Sequence, residues 1–290
     1  MANKLIQAAS TDKFCDTNTL FCNLPVARNS NVKPDWQAKG KFLAAVDGPV
    51  RYYWPKATSA PRLPTATDVL TLIAVRALSQ NPATPKNTLK TSLSQILAWM
   101  GKRDRHGNRV AVKAALELWQ NLAVELDGHH APPPIARCTS AHGPTSLLID
   151  LDPAAAAVLF EPDRSQGRYA CRLYLGEMPP FQGHMAALFN LCLVAQAWRD
   201  RRKPNGKGTV PQTRSLTYDR HIWAAKLCVP AAPRRIETMF AKAKEQVPGV
   251  KVVPSAGGYT LSVEPQAHLP APPCTDVHGN PVQMCTQGVA

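Results

Sequence analysis

Apolar side chains recur at helical spacing in three successive blocks between residues 63 and 126. After Pro64-Thr65, the positions Val69, Leu70, Leu72, Ile73, Val75 and Leu78 make one broad apolar face and predict a helix through Ser79. Asn81-Pro82-Ala83-Thr84-Pro85 stops it, and residues 88–91 predict a short strand. Ser92 is a natural N-cap for a second helix, with Leu93, Ile96, Leu97 and Met100 at i, i+3, i+4 and i+7. Gly101 ends that helix. A third is predicted over 108–126, with Ala115, Leu118, Leu122 and Leu126 inward and Trp119 beside them. The last two helices are joined by a basic turn, Gly101-Lys102-Arg103-Asp104-Arg105-His106-Gly107.

A similar pattern returns further along. Residues 181–202 predict the longest helix, its inner face formed by Met185, Leu188, Phe189, Cys192, Ala195 and the edge of Trp198. A short helix over 217–227, a turn at 230–233 and a helix over 234–247 follow, the last with Ile236, Met239, Phe240, Ala243 and Val247 on one face. Residues 250–254 and 259–264 then read as a hairpin about Ala256-Gly257-Gly258. A hairpin directly after a helix-turn-helix is the wing of a winged helix. Between the two halves, residues 146–152 and 168–175 alternate as strands, with a short helix over 153–160. Ahead of them, residues 42–54 suggest a hairpin about Asp47-Gly48. The expected fold is α+β, mostly helical, with two tandem winged-helix domains. The expected organisation is an irregular N-terminal arm (1–41), a first winged-helix domain (42–178), a second (179–265) and a disordered Pro-rich tail (266–290). The repeat is one of pattern, with little residue identity.

Charge sharpens this picture. The 290-residue chain carries 34 Lys and Arg against 20 Asp and Glu, a formal +14, with a pI near 9.6. A polyanionic partner suits that balance, because each cation set on a phosphate releases a condensed counterion. The cations are also placed where a helix-turn-helix meets duplex DNA. Arg109 and Lys113 share a face at the start of the third helix, with Arg103 and Arg105 just upstream. Arg234 and Arg235 open the corresponding helix of the second half, with Lys242 further along it. Arg201 and Arg202, in the basic run that ends the long helix, extend this set, and Lys251 lies on the wing. The plainer reading of each cluster is a solvated helix face. Trp99, Trp119, Trp198 and Trp223 fall on helices and do not interleave with the cations, which argues against a single-strand binder built on stacking.

Catalytic and metal chemistry find little support. Cys15 and Cys22 lack the short spacing of a zinc pair, and Cys274, His278 and Cys285 lie in the Pro-rich tail. His129-His130 precedes prolines and reads as loop. No Gly-rich phosphate loop and no nucleophile elbow is present. Asp150 and Asp152 leave a metal-dependent nuclease open as an alternative, although further carboxylates at recognisable spacing are missing. No catalytic residue, metal or cofactor is assigned, and the chain is read as a non-enzyme. The longest apolar region, 185–198, holds Asn190 and Gln196 and falls short of the roughly 20 residues a span requires. The polar opening lacks a secretory signal, so a cytoplasmic protein is expected. Eight Cys are too sparse for a disulfide scaffold, and Cys171, Cys192 and Cys228 read as small buried hydrophobes.

Three stretches together bear a resemblance to a known family. They are Arg62-Leu63-Pro64-Thr65-Ala66-Thr67-Asp68-Val69-Leu70, the helix Ser92-Leu93-Ser94-Gln95-Ile96-Leu97-Ala98-Trp99-Met100-Gly101, and Val112-Lys113-Ala114-Ala115-Leu116-Glu117-Leu118-Trp119 after the basic turn. With the strand Ile149-Asp150-Leu151-Asp152 and the helix carrying Met185-Ala186-Ala187-Leu188-Phe189, their order resembles that of plasmid replication initiators of the RepA type over roughly residues 42–265. The resemblance implies a non-enzymatic protein that binds repeated origin sequences in double-stranded DNA and helps open the duplex. It also implies host replication proteins as partners and a homodimeric repressor form. A transcriptional repressor of a phage or mobile element would use the same modules, and an adaptor would turn them toward protein. Both readings stay open.

Overall fold

The computed structural model describes residues 13–24, 26–29, 33–47, 50–56, 61–80, 87–141, 146–175, 178, 186–199, 214–246 and 250–263. The first described elements are β1 (Phe14–Asn18) and the one-turn α1 (Thr19–Asn23), followed by β2 (Gln37–Lys39), β3 (Phe42–Asp47) and β4 (Val50–Pro55). Next come α2 (Ala66–Ser79), β5 (Thr88–Ser92), α3 (Leu93–Trp99) and α4 (His106–Asn121). They lead to β6 (Ala123–Leu126), β7 (His129–Ala131), β8 (Ile135–Ala141), β9 (Ser146–Leu151), α5 (Pro153–Leu159) and β10 (Ala170–Tyr174). The remainder is α6 (Ala186–Arg199), β11 (Arg214–Asp219), α7 (Arg220–Leu227), α8 (Pro233–Gln246), β12 (Val250–Ser255) and β13 (Gly258–Val263).

One arrangement occurs twice. A lead helix (α2, then α6) is followed by a strand, two helices and a hairpin. In each case the hairpin's second strand pairs with the first strand, giving the antiparallel orders β5-β9-β8 and β11-β13-β12. The first copy carries an insertion between α4 and β8. There β6 and β7 join β4, completing a five-stranded sheet of order β2-β3-β4-β6-β7.

Local chemistry accounts for the helix limits. Asp68 accepts from the Thr65 backbone N–H and hydroxyl, both at 2.7 Å, and so closes a capping box at the start of α2. Ser92 caps α3 by accepting from Gln95 N–H at 3.2 Å. Gly101 leaves α3 at a φ of +67°, the left-handed conformation that a glycine accepts without strain. The indole N–H of buried Trp119 donates to the Asp68 carbonyl at 2.7 Å, which lashes α4 to α2.

Several expectations are corrected. The described residues are not mostly helical: 43 % of them are helix and 35 % strand. The third helix stops at Asn121 instead of running to Leu126. Leu122 turns extended, and Asp127 and Gly128, both with positive φ, make a tight turn between β6 and β7. Residues 217–219, expected to open a helix, belong to the strand Arg214–Asp219, and Asp219 caps α7 by accepting from Ile222 N–H at 2.9 Å. α6 is described over 14 residues, Ala186–Arg199; the remainder of the helix expected over 181–202, Met185 included, lies outside the described residues. The N-terminal arm is ordered where it is described: β1 pairs with β10, and β2 edges the five-stranded sheet. Residues 266–290, read as a disordered tail, lie outside the described residues.

Two apolar cores form, and α6 serves both. Phe189, Leu193 and Ala197 enter the first, which holds Phe21, Tyr52 and Trp119. Leu188, Leu191, Cys192 and Ala195 enter the second, around Trp223 and Phe240. The polar residues that break the apolar run of α6 each clasp a strand of backbone. Asn190 donates to Ala27 C=O at 2.9 Å and accepts from Ala27 N–H at 3.3 Å. Gln196 does the same with Tyr174, at 3.3 and 2.8 Å. A buried amide with both ends satisfied costs little and fixes register. Among the described residues no helix is long and apolar enough to cross a membrane.

Candidate nucleic-acid interface

In the first module, α3, its turn and α4 form a helix-turn-helix held from beneath. Lys102 is drawn inward, where its ammonium donates to the Thr67 hydroxyl at 3.1 Å. Burial lowers its pKa, against the pull of the Asp68 carboxylate. The side chain of Asn108 donates to Arg103 C=O at 2.7 Å and closes the turn on itself. On α4 the buried positions Val112, Ala115, Leu116, Leu118 and Trp119 face the core. His106, Val110, Lys113, Ala114 and Glu117 lie on the opposite, exposed face.

The predicted cations of this module divide into two kinds. Arg103, Arg105 and Lys113 are exposed, and among the described residues no carboxylate pairs with them. Arg109 is engaged: its guanidinium donates to both oxygens of Asp104, at 2.5 and 2.8 Å. Ser94 on α3 donates to the same carboxylate at 2.7 Å. Chiefly through the Arg109 bonds, then that of Ser94, the Asp104 pKa falls to about 2. Arg109 therefore ties the turn between the two helices, while its neighbours project from it.

In the second module, Ile236, Phe240 and Ala243 bury one face of α8 against α7. The rings of Trp223 and Phe240 meet edge to face, with centroids 5.3 Å apart. Arg234 and Arg235 stand exposed in the first turn of α8, Lys242 is half-buried two turns on, and Lys251 is exposed on β12. The hairpin is bonded to the helix beside it. Tyr259 donates its hydroxyl to Glu237 of α8 at 3.0 Å, and the Trp223 indole donates to Tyr259 C=O at 2.8 Å. Arg201 and Arg202 lie outside the described residues.

The carboxylates on which a nuclease would rest have other work. Asp150 accepts from Arg137 at 2.9 Å and from Thr88 at 3.0 Å, tying β8, β9 and β5 together. Asp152 caps α5 through Ala155 N–H at 2.9 Å. Among the described residues no three His, Cys, Asp or Glu side chains gather as a metal site. The thiols of Cys22 and Cys171 lie 3.5 Å apart in the core, and burial pushes the Cys228 thiol up to about 12.

Lys102 and Asp104 were not singled out from sequence. Both sit in the basic turn, and only the fold shows that one points inward and the other neutralises a neighbour. Val110 was also missed; it stands 51 % exposed on α4 between Arg109 and Lys113, and an apolar residue inside a cationic helix face was its available signal.

No protein-family model matches the sequence, and no curated protein does. Among solved structures the chain is similar to a crystal structure of selenomethionine derivatives of domains 2 and 3 of RctB, at 12 % identity with a TM-score of 0.47, over 83 % of this chain and 95 % of that one. A crystal structure of RctB domains 2–3, residues 155–483, is similar at 12 % identity with a TM-score of 0.45, over 85 % and 97 %.

Proposed function

We propose that this protein binds duplex DNA in a sequence-dependent way through the two second helices, α4 and α8, and that the duplex is a replication origin. The observation that carries the reading is the repeated placement of cations. In each module, exposed Arg side chains without a carboxylate partner among the described residues stand at the opening of the second helix: Arg103 and Arg105 ahead of α4, Arg234 and Arg235 in α8. Helix-turn-helix proteins meet phosphates and major-groove edges from that position. Val110 supplies the apolar contact that a thymine methyl would take, and the hairpin β12–β13 brings Lys251 to the backbone or minor groove. The origin as target rests on the sequence resemblance to plasmid initiators, whose host partners and dimeric repressor form are part of the same proposal.

The test is a salt series of duplex affinity. Replacing Arg105 and Lys113 by Ala removes two phosphate contacts, so the slope of log K against log salt flattens by about two units, one per contact. Arg234→Ala with Arg235→Ala does the same in the second module. Unchanged slopes in both pairs would overturn the reading. Direct repeats protected in a footprint of the flanking DNA, together with loss of plasmid maintenance in the same variants, would establish the origin as target.

A further inference from the structure

A cleft of about 510 Å³ opens on the side of the first core formed by the C-terminal end of α2, the turn after α5 and the β1–β10 ribbon. Arg76 enters it from α2. Among the described residues its Nε, shielded from water, has no hydrogen-bond partner, and no carboxylate pairs with the side chain. A buried donor without an acceptor is costly and calls for an explanation. The fold holds this guanidinium in place all the same, 5.4 Å above the ring of buried Phe160. The Asp16 carboxylate in the same lining is occupied: it accepts from two nitrogens of Arg172, at 2.6 and 3.1 Å. Arg164 stands exposed at the rim, also without a carboxylate partner among the described residues, and Glu161 is the one other acid in the lining. Tyr169 and Tyr174 contribute half-buried ring surface to the wall.

We propose that this cleft binds a small organic oxyanion, a phosphate or a carboxylate on an apolar body. The anionic end accepts from Arg76 and Arg164, and the body lies against the tyrosine wall. Three features point there together: a guanidinium in the wall with no carboxylate partner among the described residues, a second at the mouth, and a half-open space of ligand size whose lining is partly apolar. The cleft lies apart from the α4 and α8 surfaces, so this inference does not rest on the duplex reading.

Titration of the 290-residue chain with phenyl phosphate, benzoate and benzyl alcohol, followed by calorimetry and by amide shifts around Tyr169, tests the proposal. Saturable one-to-one binding of phenyl phosphate or benzoate is expected, weakened at least tenfold by Arg76→Gln and less by exposed Arg164→Ala. The tighter of the two anions identifies phosphate or carboxylate as the group recognised. Circular dichroism and duplex affinity of both variants should match the unaltered protein, which separates ligand loss from unfolding and from failure of the DNA reading. Absence of saturable binding by either anion would overturn the proposal. So would equal binding of benzyl alcohol, or affinity that neither substitution changes.

Discussion

Identical charges do different work at neighbouring positions. Arg103, Arg105 and Lys113 project into solvent, whereas Arg109 spends its guanidinium on Asp104, which Ser94 also holds. An exposed pair of this kind adds little to stability. Its effect is geometric: it fixes the turn from which the other cations point. The carboxylate reports on that fixation. Its pKa lies near 2 against an ordinary 3.8, so the stabilisation is present above the ordinary value and is lost as pH falls through about 2. Arg109→Ala should return the Asp104 titration, followed by carboxyl carbon NMR, most of the way to 3.8, with the Ser94 bond retaining a smaller depression. A midpoint still near 2 would show that the pair does not set it.

At the scale of elements, the sequence disclosed most where one period ran undisturbed. The stripe in α2, the Ser92 cap, the α8 face as far as Ala243 and the hairpin about Ala256-Gly257 are found in the structure, Val247 lying outside the described residues. It misled where two signals overlapped. Leu118, Leu122 and Leu126 keep helical spacing, yet Leu126 belongs to β6, and the Asp127-Gly128 dipeptide behind it is a strong hairpin signal. The strand register won because it lets Val124 and Leu126 pair with β4 and join the first core. Residues 217–219 were similarly absorbed into a helix, although Asp219 is a cap and Thr217 and Tyr218 favour a strand. The candidate interface was legible as charge at helix entries; the division of labour inside the basic turn was not, because it depends on which side chains meet. One glycine illustrates what packing alone imposes. A Cβ at Gly258 would sit 2.1 Å from the Tyr218 carbonyl oxygen, a backbone atom fixed by the β11–β13 ladder. Gly258→Ala should therefore cost about 1–3 kcal/mol, as overpacking does. Amide exchange should quicken most along β11, with the β5-β9-β8 sheet losing no more protection than the drop in global stability. Unaltered exchange in β11 would mean that the ladder can shift without loss.

Across the whole molecule, the two modules are joined by more than a linker. α6 is the lead helix of the second module and also places Phe189, Leu193 and Ala197 in the first core. The N-terminal segment binds the same junction. Ala27 is clasped by Asn190, the Tyr52 hydroxyl donates to Val26 C=O at 3.4 Å, and Lys226 of α7 donates to Asn23 C=O at 2.8 Å. Arg28 pairs with Asp47 beside it. A helix built into both cores cannot leave one without exposing the other, so the described modules should melt as a single cooperative transition. Calorimetric and van't Hoff enthalpies then coincide. Asn190→Leu keeps the branched shape of the side chain but strands the Ala27 N–H and C=O in the core, at a cost of about 1–3 kcal/mol for each group left unsatisfied. It should lower that one melting temperature without splitting the transition. Two resolved transitions in the unaltered protein would show that α6 is divided between independent units, and the spacing between α4 and α8 on a duplex would then be set by the DNA instead of by the fold.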